Sequence, residues 1–315
     1  MNIKPIGPLF GAEISGVDLA DVSAGEFQAI RAALATHEVL VFRNQDISTE
    51  AHIEFGKRFG ELTVSPFSPN DDERPELIVL DNHPGNASPL TDVWHSDETF
   101  REAPPLATLL RATIVPAFGG DTMFASMTAA YDGLSDRMKT YLSGLTALHG
   151  FGRFGEMLRQ DDARRHLLHR VENQLPMPHH PVIRVHPETQ RQAIFVNAHF
   201  TLKVDGVPED ESRSILDFLF RRALIAEYQL RVSWAPNTMV IWDNRSVQHY
   251  APNDYQPQRR RMERVTVRGT KPVGDTPTMH FAERARGILA RNVGETEKEP
   301  AVLNAPRRQF DRTEA

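Results

Sequence analysis

Cysteine is absent from the 315 residues, which excludes disulfides, thiolate metal sites and cysteine nucleophiles. Any bound metal must therefore use His, Asp or Glu, and these nitrogen and oxygen ligands suit the harder metals. No apolar run approaches the ~18 residues of a membrane span, and the N-terminus has no hydrophobic signal core. We expect a cytoplasmic protein that does not act at a membrane.

Other familiar patterns are also missing from the chain. It has no glycine-rich phosphate loop, no Rossmann fingerprint and no internal repeat. The formal net charge of −6 argues against nucleic acid as the main partner. A hydrophobic fraction of 40% over this length suits one large domain or two small ones. A small molecule is the expected partner.

What the sequence does contain is a series of short predicted strands separated by turn residues. Val39-Leu40-Val41-Phe42 predicts a buried strand, and Ser23 and Ser48 are typical helix N-caps. Helices are predicted at only a few points, so the fold class is mainly β with helical decoration (α+β), a sandwich or barrel. Residues 150–178 are polar and arginine-rich, and we interpret them as an irregular, lid-like insert.

The segment Trp94-His95-Ser96-Asp97 carries the first chemical motif. It follows a turn-rich loop, so an extended conformation is predicted, in which His95 and Asp97 point to the same side. Two such side chains supply part of a 2-His-1-carboxylate site, which binds Fe(II) and leaves coordination positions open. The similar pair His52 and Glu54 lies in a predicted helix, where residues i and i+2 are about 200° apart and cannot share a metal.

The second motif lies near the end of the chain. Trp242-Asp243-Asn244-Arg245 predicts a sharp turn after a buried strand, with His249 on the next strand. Arg260, Met262 and Arg264 then share one face of a predicted strand. Arginines that point inward are costly unless they meet anions, and arginine suits bidentate carboxylate binding.

In their order and spacing these motifs resemble the taurine dioxygenase family of Fe(II)- and 2-oxoglutarate-dependent oxygenases, which includes aryloxyalkanoate dioxygenases and alkylsulfatases. The resemblance runs from Gly11 to about Pro272. Its specific motifs are Trp94-His95-x-Asp97-x-Thr99-Phe100, Gly119-Gly120-Asp121-Thr122, Trp242-Asp243-Asn244-Arg245-x-x-x-His249 and Arg259-Arg260-x-Met262-x-Arg264.

The resemblance implies a double-stranded β-helix (jelly roll), which we place at residues 1–285, with a polar C-terminal extension at 286–315. It implies that His95, Asp97 and His249 bind Fe(II) as the catalytic centre. It also implies that Thr122 and Arg260 bind the distal carboxylate of 2-oxoglutarate, with Arg264 near both co-substrate and substrate. The cofactors would be Fe(II), 2-oxoglutarate and O2, and a homo-oligomer, dimer or tetramer, is expected.

The positions that contact taurine in the family differ here, so taurine is not the expected substrate. Ser65 and Ser68 stand where the taurine enzyme has a His and a Tyr, and Thr91 stands where it has an Asn. Phe200 matches an aromatic wall position, and Arg153-Phe154 replaces a Ser-Phe pair. We expect hydroxylation of a small anionic substrate at a carbon next to a heteroatom, with release of succinate and CO2. An alkyl sulfonate or sulfate ester is favoured.

Three alternatives remain open at this point. The same family chemistry could serve an aryloxyalkanoate or a biosynthetic intermediate. A non-catalytic jelly-roll protein could bind a metal or a small acid, and a zinc hydrolase could use the same triad. Five further residues are not predicted to be functional. We interpret Arg153 and Arg184 as surface charge, and His179, His180 and His186 as part of a solvated turn.

Overall fold

The computed structural model describes residues 1–67, 73–84, 92–161 and 165–275. Within these residues the helices are α1 Ala24–His37, α2 Thr49–Lys57, α3 Met127–Asp132, α4 Asp136–Leu142, α5 Gly152–Gln160, α6 Arg165–Gln174 and α7 Glu209–Phe220. The strands are β1 Asn2–Pro5, β2 Ala12–Ser15, β3 Val39–Phe42, β4 Ile78–Asn82, β5 Ala107–Ile114, β6 Thr122–Ser126, β7 Thr146–His149, β8 His179–Pro181, β9 Ile183–Val185, β10 Gln192–Ile194, β11 Thr201–Val204, β12 Gln229–Val232, β13 Met239–Asp243, β14 Val247–Tyr250, β15 Arg260–Val267 and β16 Val273–Gly274. The expected mixture of several sheets with a few helices is confirmed.

A seven-stranded sheet in the order β1-β2-β3-β13-β5-β15-β4 forms the centre. Its pairings are antiparallel except for β2 with β3. Strand β3 shows why its sequence is continuously apolar: Leu40 and Phe42 pack in the core on one face, whereas Val39 and Val41 pack on the other. A strand buried on both faces needs apolar residues at every position.

Different elements pack on the two faces of the central sheet. On one side, α1 and α2 contribute Phe27 and Phe55 to the core that includes Leu40 and Phe42. On the other, Val39 and Val41 share a core with Phe124 of β6, which belongs to the smaller sheet β12-β6-β14. The small sheet therefore packs on the large one through side chains, and the site described below lies on these two sheets and the loops between them.

The helix ends follow the predicted capping. The Ser23 hydroxyl accepts a hydrogen bond from the backbone N–H of Glu26, and the Glu26 carboxylate accepts one from the backbone N–H of Ser23. Ser48 caps α2 through the backbone N–H of Ala51. Such caps satisfy N–H groups that the helix itself leaves unpaired.

The prediction that residues 150–178 are irregular is wrong, because helices α5 and α6 lie within this segment. Charge dominates its composition, but apolar residues recur at helical spacing. Leu158 of α5 and Leu168 and Val171 of α6 are buried in one cluster. Burying one apolar stripe stabilises a helix whose other face is charged.

Two further outcomes concern the predicted segments. The extended segment around His95 is a single β-bridge to His249 followed by a turn, because Glu98 has a φ of 47° that ends the extended run. The expected boundary between residues 285 and 286 lies outside the described residues.

Among the described residues, no helix has the length and apolar content needed to cross a membrane.

A buried carboxylate lies where α1 meets β3. Glu38 is 1% exposed, and its Oε1 accepts hydrogen bonds from Thr128 Oγ1 and, at 3.1 Å, from Arg191 Nη1. Its backbone carbonyl accepts the N–H of Asp243 at 2.8 Å. Burial raises the pKa of the Glu38 carboxyl to about 7, against the opposing effect of the hydrogen bond from Thr128.

We expect Glu38 to make stability fall as pH rises. Since its folded-state pKa lies above the unfolded value of 4.5, the folded state binds the extra proton between pH 4.5 and about 7. Stability from this proton is complete below pH 4.5 and lost above 7, a change of roughly 3 kcal/mol. Glu38→Gln should remove this dependence. The free energy of unfolding of E38Q, relative to that of the wild type, should therefore increase as the pH is raised from 4.5 to 8. Urea unfolding at several pH values, with exposed Glu211→Gln as control, tests this; a pH-independent difference between E38Q and wild type contradicts it.

Candidate active site

His95 and His249 are brought together by backbone pairing. The N–H of His249 donates to the carbonyl of His95 at 2.8 Å, and the N–H of His95 donates back at 3.1 Å. Their imidazole rings lie 4.2 Å apart between centroids. Nδ1 of His95 contacts the Val93 carbonyl at 2.7 Å. The proton therefore belongs on Nδ1, and Nε2 keeps a lone pair for a metal.

Asp97 completes the group with one carboxylate oxygen. Its Oδ1 lies 3.7 Å from His95 Nε2 and 3.8 Å from His249 Nε2. Its Oδ2 accepts a hydrogen bond from Thr108 Oγ1 at 2.8 Å and pairs with Arg264 Nη2 at 3.0 Å. The two oxygens are thus differentiated, and Oδ1 remains for coordination.

The ligand atoms of His95, Asp97 and His249 all lie within 4.8 Å of one another, and this is the one cluster of its kind among the described residues. Two imidazoles and a carboxylate that meet from one side fit a facial site for Fe(II). The donor set therefore fits the metal that the sequence motifs predict.

Electrostatics keep these groups in the protonation states that a metal requires. Burial favours the neutral acid at Asp97, but the Arg264 guanidinium and the two histidines outweigh it and hold the pKa of that carboxyl well below its usual range. Burial lowers the pKa of His249 to about 3 and also lowers that of His95. An ionised carboxylate and neutral imidazoles are the forms that bind metal.

Asn244 holds the backbone of Asp97 from a distant part of the chain. Its side-chain Oδ1 accepts the Asp97 N–H at 2.7 Å, and its Nδ2 donates to the Asp97 carbonyl at 3.0 Å. Nδ2 also donates to the Pro105 carbonyl at 3.2 Å. Asn244 is fully buried. Its carboxamide satisfies the backbone N–H and carbonyl of Asp97, as the backbone of a neighbouring strand would.

Asn244→Ala should weaken both the fold and the metal site. The loss of three buried hydrogen bonds should lower the free energy of unfolding by about 2–4 kcal/mol. Displacement of Asp97 should weaken Co(II) binding by about 10- to 100-fold, the usual cost of losing groups that orient a ligand. Denaturant unfolding and Co(II) titration measure the two effects, with exposed Asn173→Ala as control. Unchanged Co(II) affinity in folded N244A would show that Asn244 does not position the carboxylate.

A cavity of about 80 Å³ adjoins the histidines. His95, His249, Thr122, Arg260 and Arg264 line it, together with Leu80, Asn82, Leu110, Trp242, Ala251, Pro252 and Tyr255. The three residues assigned to the co-substrate by the sequence motifs are therefore close to two of the three assigned to the metal. Their roles are taken up under the proposed function.

Arg260 is a buried arginine whose surroundings suit the binding of an anion. It is 5% exposed, and its Nε donates to the Gly120 carbonyl at 2.9 Å. Its Nη2 is buried and has no hydrogen-bond partner among the described residues. Gly120 has a φ of +71°, and a Cβ there would lie 3.1 Å from Arg260 Cδ. Glycine thus allows this backbone to approach the arginine closely. A buried donor without a partner is costly, and a carboxylate is the group that would satisfy it.

Thr122 lies beside this arginine on β6. Its Oγ1 accepts a hydrogen bond from Trp234 Nε1 at 3.0 Å. The hydroxyl proton is therefore directed away from the indole and can be donated to another acceptor. The ring of Trp234 also lies 5.8 Å from the Arg260 guanidinium carbon.

The predicted substrate contacts have different outcomes. Phe154 and Phe200 lie 5.7 Å apart in an aromatic cluster, and the Phe200 ring is 6.2 Å from His95. Ser65 is buried near Phe67, whose N–H donates to the Ser65 hydroxyl at 3.3 Å. Ser68 and Thr91 lie outside the described residues.

Several buried polar residues were wrongly interpreted as surface groups. Arg184 is 2% exposed, and its Nε and Nη1 have no hydrogen-bond partner among the described residues. His180 and His186 are also buried, and His186 Nε2 bonds Asp243 Oδ2 at 3.0 Å. These residues occupy short strands and turns whose burial depends on distant segments. His199, which the motifs did not single out, is buried with its ring 5.0 Å from that of His95.

A group of two imidazoles and one carboxylate, beside a buried arginine whose Nη2 has no partner among the described residues, is the arrangement expected of an oxygenase that takes a small carboxylate co-substrate. A family model described as "Taurine catabolism dioxygenase TauD, TfdA family" matches residues 2–266. The chain belongs to this family.

Individual relatives agree with this assignment. An alpha-ketoglutarate-dependent sulfate ester dioxygenase of Pseudomonas putida is 35% identical over 279 residues, covering 87% of this chain and 91% of the relative. An alpha-ketoglutarate-dependent sulfonate dioxygenase of Saccharomyces cerevisiae is 32% identical over 289 residues, covering 87% and 68%. A crystal structure of a taurine dioxygenase from Burkholderia xenovorans superposes with a TM-score of 0.74 at 32% identity, covering 87% and 92%.

The protein is thus an Fe(II)- and 2-oxoglutarate-dependent dioxygenase, and its cofactors are Fe(II), 2-oxoglutarate and O2. The enzyme class and cofactors predicted from the motifs are confirmed. The relatives named above are dioxygenases, and they support neither a zinc hydrolase nor a non-catalytic binder.

Proposed function

We propose that this dioxygenase hydroxylates a small anionic organic substrate at a carbon next to a heteroatom, an alkyl sulfonate or sulfate ester, and releases succinate and CO2. The single observation that carries the proposal is Arg260 Nη2, which has no partner within the described part of the chain and belongs to a residue lining the same cavity as His95 and His249. Such a donor suits the distal carboxylate of a 2-oxo acid bound at the metal. The substrate class is supported by relatives named for sulfonates and sulfate esters.

The residues around the cavity are assigned as follows. His95, Asp97 and His249 bind Fe(II), which when bound supplies the open positions where 2-oxoglutarate and O2 react. Arg260 and Thr122 donate to the distal carboxylate and fix the orientation of 2-oxoglutarate. Arg264 keeps Asp97 ionised and monodentate, because its Nη2 occupies Oδ2.

The overall reaction explains the preference for a heteroatom. One oxygen atom of O2 enters succinate, and the other becomes the new hydroxyl. A hydroxyl on a carbon that bears a sulfate ester or sulfonate gives an unstable product, which collapses to an aldehyde with release of sulfate or sulfite. The protein holds the substrate carbon close to the metal and excludes water.

The substrate site is assigned to Arg264, Phe154, Phe200 and Ser65, and Ser68 and Thr91 are kept in this assignment from the sequence. Phe154 and Phe200 lie in one cluster with Phe67, Phe100 and Phe151. An aromatic surface near the metal suits an apolar chain that ends in an anionic group. The same surface would also accept an aryloxyalkanoate ring, and that class forms a separate arm of the test below.

Two structural proposals accompany this function. The jelly-roll fold is supported by the packing of the small sheet on the central sheet through a shared apolar core. Residues 150–178 are proposed to act as a lid, since Phe154 of α5 contacts the cluster beside the metal residues. A homo-oligomer remains our expectation.

Succinate formation with matched substrates tests the function. Hexyl sulfate, hexanesulfonate and phenoxyacetate are each supplied with Fe(II), 2-oxoglutarate and O2. We expect the sulfate ester or sulfonate to stimulate succinate formation, with matching release of sulfate or sulfite that stops when O2 is removed. Stimulation by phenoxyacetate alone would replace the substrate class, and sulfate release without O2 would contradict the dioxygenase mechanism.

A further inference from the structure

His199 lies between the metal residues and helix α5. Its ring centroid is 5.0 Å from that of His95 and 5.3 Å from that of Phe154. The residue is 3% exposed. No step of the proposed mechanism uses this imidazole, although it is next to the ring of His95, a proposed metal ligand.

One nitrogen of this ring is unsatisfied. His199 Nδ1 is buried without a hydrogen-bond partner among the described residues. The surrounding turn is otherwise well bonded: Asn197 Oδ1 accepts the N–H groups of His199 and Phe200 at 3.1 and 3.0 Å. A loosely built turn therefore does not explain the unpaired nitrogen. A group that arrives with the substrate would satisfy it.

Helix α5 carries a positive charge next to Phe154. Arg153 is exposed on α5, and its charge adds to burial and to the neighbouring His95 in lowering the pKa of His199. No ion pair of Arg153 is found within the described part of the chain. The start of α5 is seated on the backbone of His199, because Gly152 has a φ of +37° and a Cβ there would lie 2.7 Å from the His199 carbonyl oxygen.

Arg264, which is also assigned to the substrate site, already has two contacts. Arg264 uses Nη2 for Asp97 and Nε for Thr266 Oγ1 at 3.1 Å. If the reacting carbon is next to the heteroatom, the anionic group must lie within a few bonds of the metal. The His199 ring, whose centroid is 5.0 Å from that of His95, is close enough to the metal residues for that group.

Resting on the proposed function, we propose that His199 and Arg153 form the subsite for the anionic head group of the substrate. His199 donates a hydrogen bond to a sulfonate or sulfate-ester oxygen, and Arg153 supplies the charge. The alkyl chain then lies along Phe154 and Phe200. This assignment makes Arg153 part of the substrate site rather than ordinary surface charge.

Calorimetric titration of hexanesulfonate into the Fe(II)–2-oxoglutarate enzyme without O2 tests the subsite, because it measures binding in the absence of turnover. His199→Phe keeps the ring contact with His95 but removes the nitrogens, and we expect about 10-fold weaker binding, the cost of one hydrogen bond to a charged group. His199→Gln keeps a donor and should bind more tightly than H199F. Arg153→Gln should also weaken binding and reduce its salt dependence.

Two controls separate this role from simple packing. Arg159→Gln removes the same charge from the same helix, but Arg159 pairs with Glu172 at 2.8 Å, and its variant should bind hexanesulfonate like the wild type. Fe(II) and 2-oxoglutarate affinities should be unchanged in H199F. If H199F and R153Q bind hexanesulfonate as well as the wild type, or if H199F loses Fe(II) affinity to the same extent, the subsite is overturned. If the wild type binds no member of the substrate panel, the substrate class fails and the subsite fails with it.

Discussion

Asp97→Asn is expected to abolish succinate formation while leaving the protein folded. The substitution removes the only anionic ligand of the three and leaves Arg264 Nη2 opposite a neutral amide. Since changes to groups that merely orient a ligand cost about 10–100-fold in metal affinity, loss of the ligand itself should cost more than about 100-fold. Co(II) titration and succinate assays measure the two effects.

The matched control for this prediction is Asp217→Asn on the exposed face of α7, which removes a carboxylate far from the histidines in the sequence. Its metal affinity and turnover should equal those of the wild type. If folded D97N binds Co(II) as tightly as the wild type, Asp97 is not a metal ligand and the proposed centre is wrong.

Arg260→Met is expected to raise the KM for 2-oxoglutarate by about 100-fold, equivalent to ~2.7 kcal/mol, because a buried charge-assisted contact with the distal carboxylate is lost. The affinity for Fe(II) should change little, since Arg260 contacts none of the three metal residues in the hydrogen bonds and ion pairs of the described chain. Steady-state kinetics with 2-oxoglutarate as the varied substrate measure the effect.

The chain offers a close control in the adjacent residue. Arg259 is half exposed and pairs with Asp81 outside the cavity, so Arg259→Met makes the same change of charge one residue away. It should leave the KM unchanged. A second comparison uses 2-oxopentanoate, which lacks the distal carboxylate: R260M should weaken 2-oxoglutarate but not 2-oxopentanoate. Equal effects on both would show that Arg260 does not bind that carboxylate.

The sequence was most informative where local pattern and chemistry coincide. The strand Val39–Phe42 and the caps Ser23 and Ser48 follow from short-range rules, and the structure has them as predicted. His95 and Asp97 could be paired from their spacing, although the backbone there is a bridge and a turn rather than a strand. Joining them to His249 needed the family resemblance, since His95 and His249 are 154 positions apart and no local pattern connects them.

The parts that sequence reasoning missed depend on contacts between distant segments. Asn244 clamps Asp97 across 147 positions, and nothing in its neighbourhood indicates that role. Arg184 was interpreted as surface charge, which is the usual place of an arginine, yet all three residues of β9 are buried. The helices α5 and α6 were hidden by their charge, although Leu158, Leu168 and Val171 mark their buried stripe.

The central claim is that a metal site and a carboxylate site act together on 2-oxoglutarate. Anaerobic titration with Fe(II) and 2-oxoglutarate tests it most directly, because a keto acid bound to ferrous iron gives a weak visible charge-transfer band. The account predicts a band for the wild type, none for His95→Ala and a weakened one for Arg260→Ala. A folded wild-type protein that binds Fe(II) but shows no band at saturating 2-oxoglutarate would contradict it.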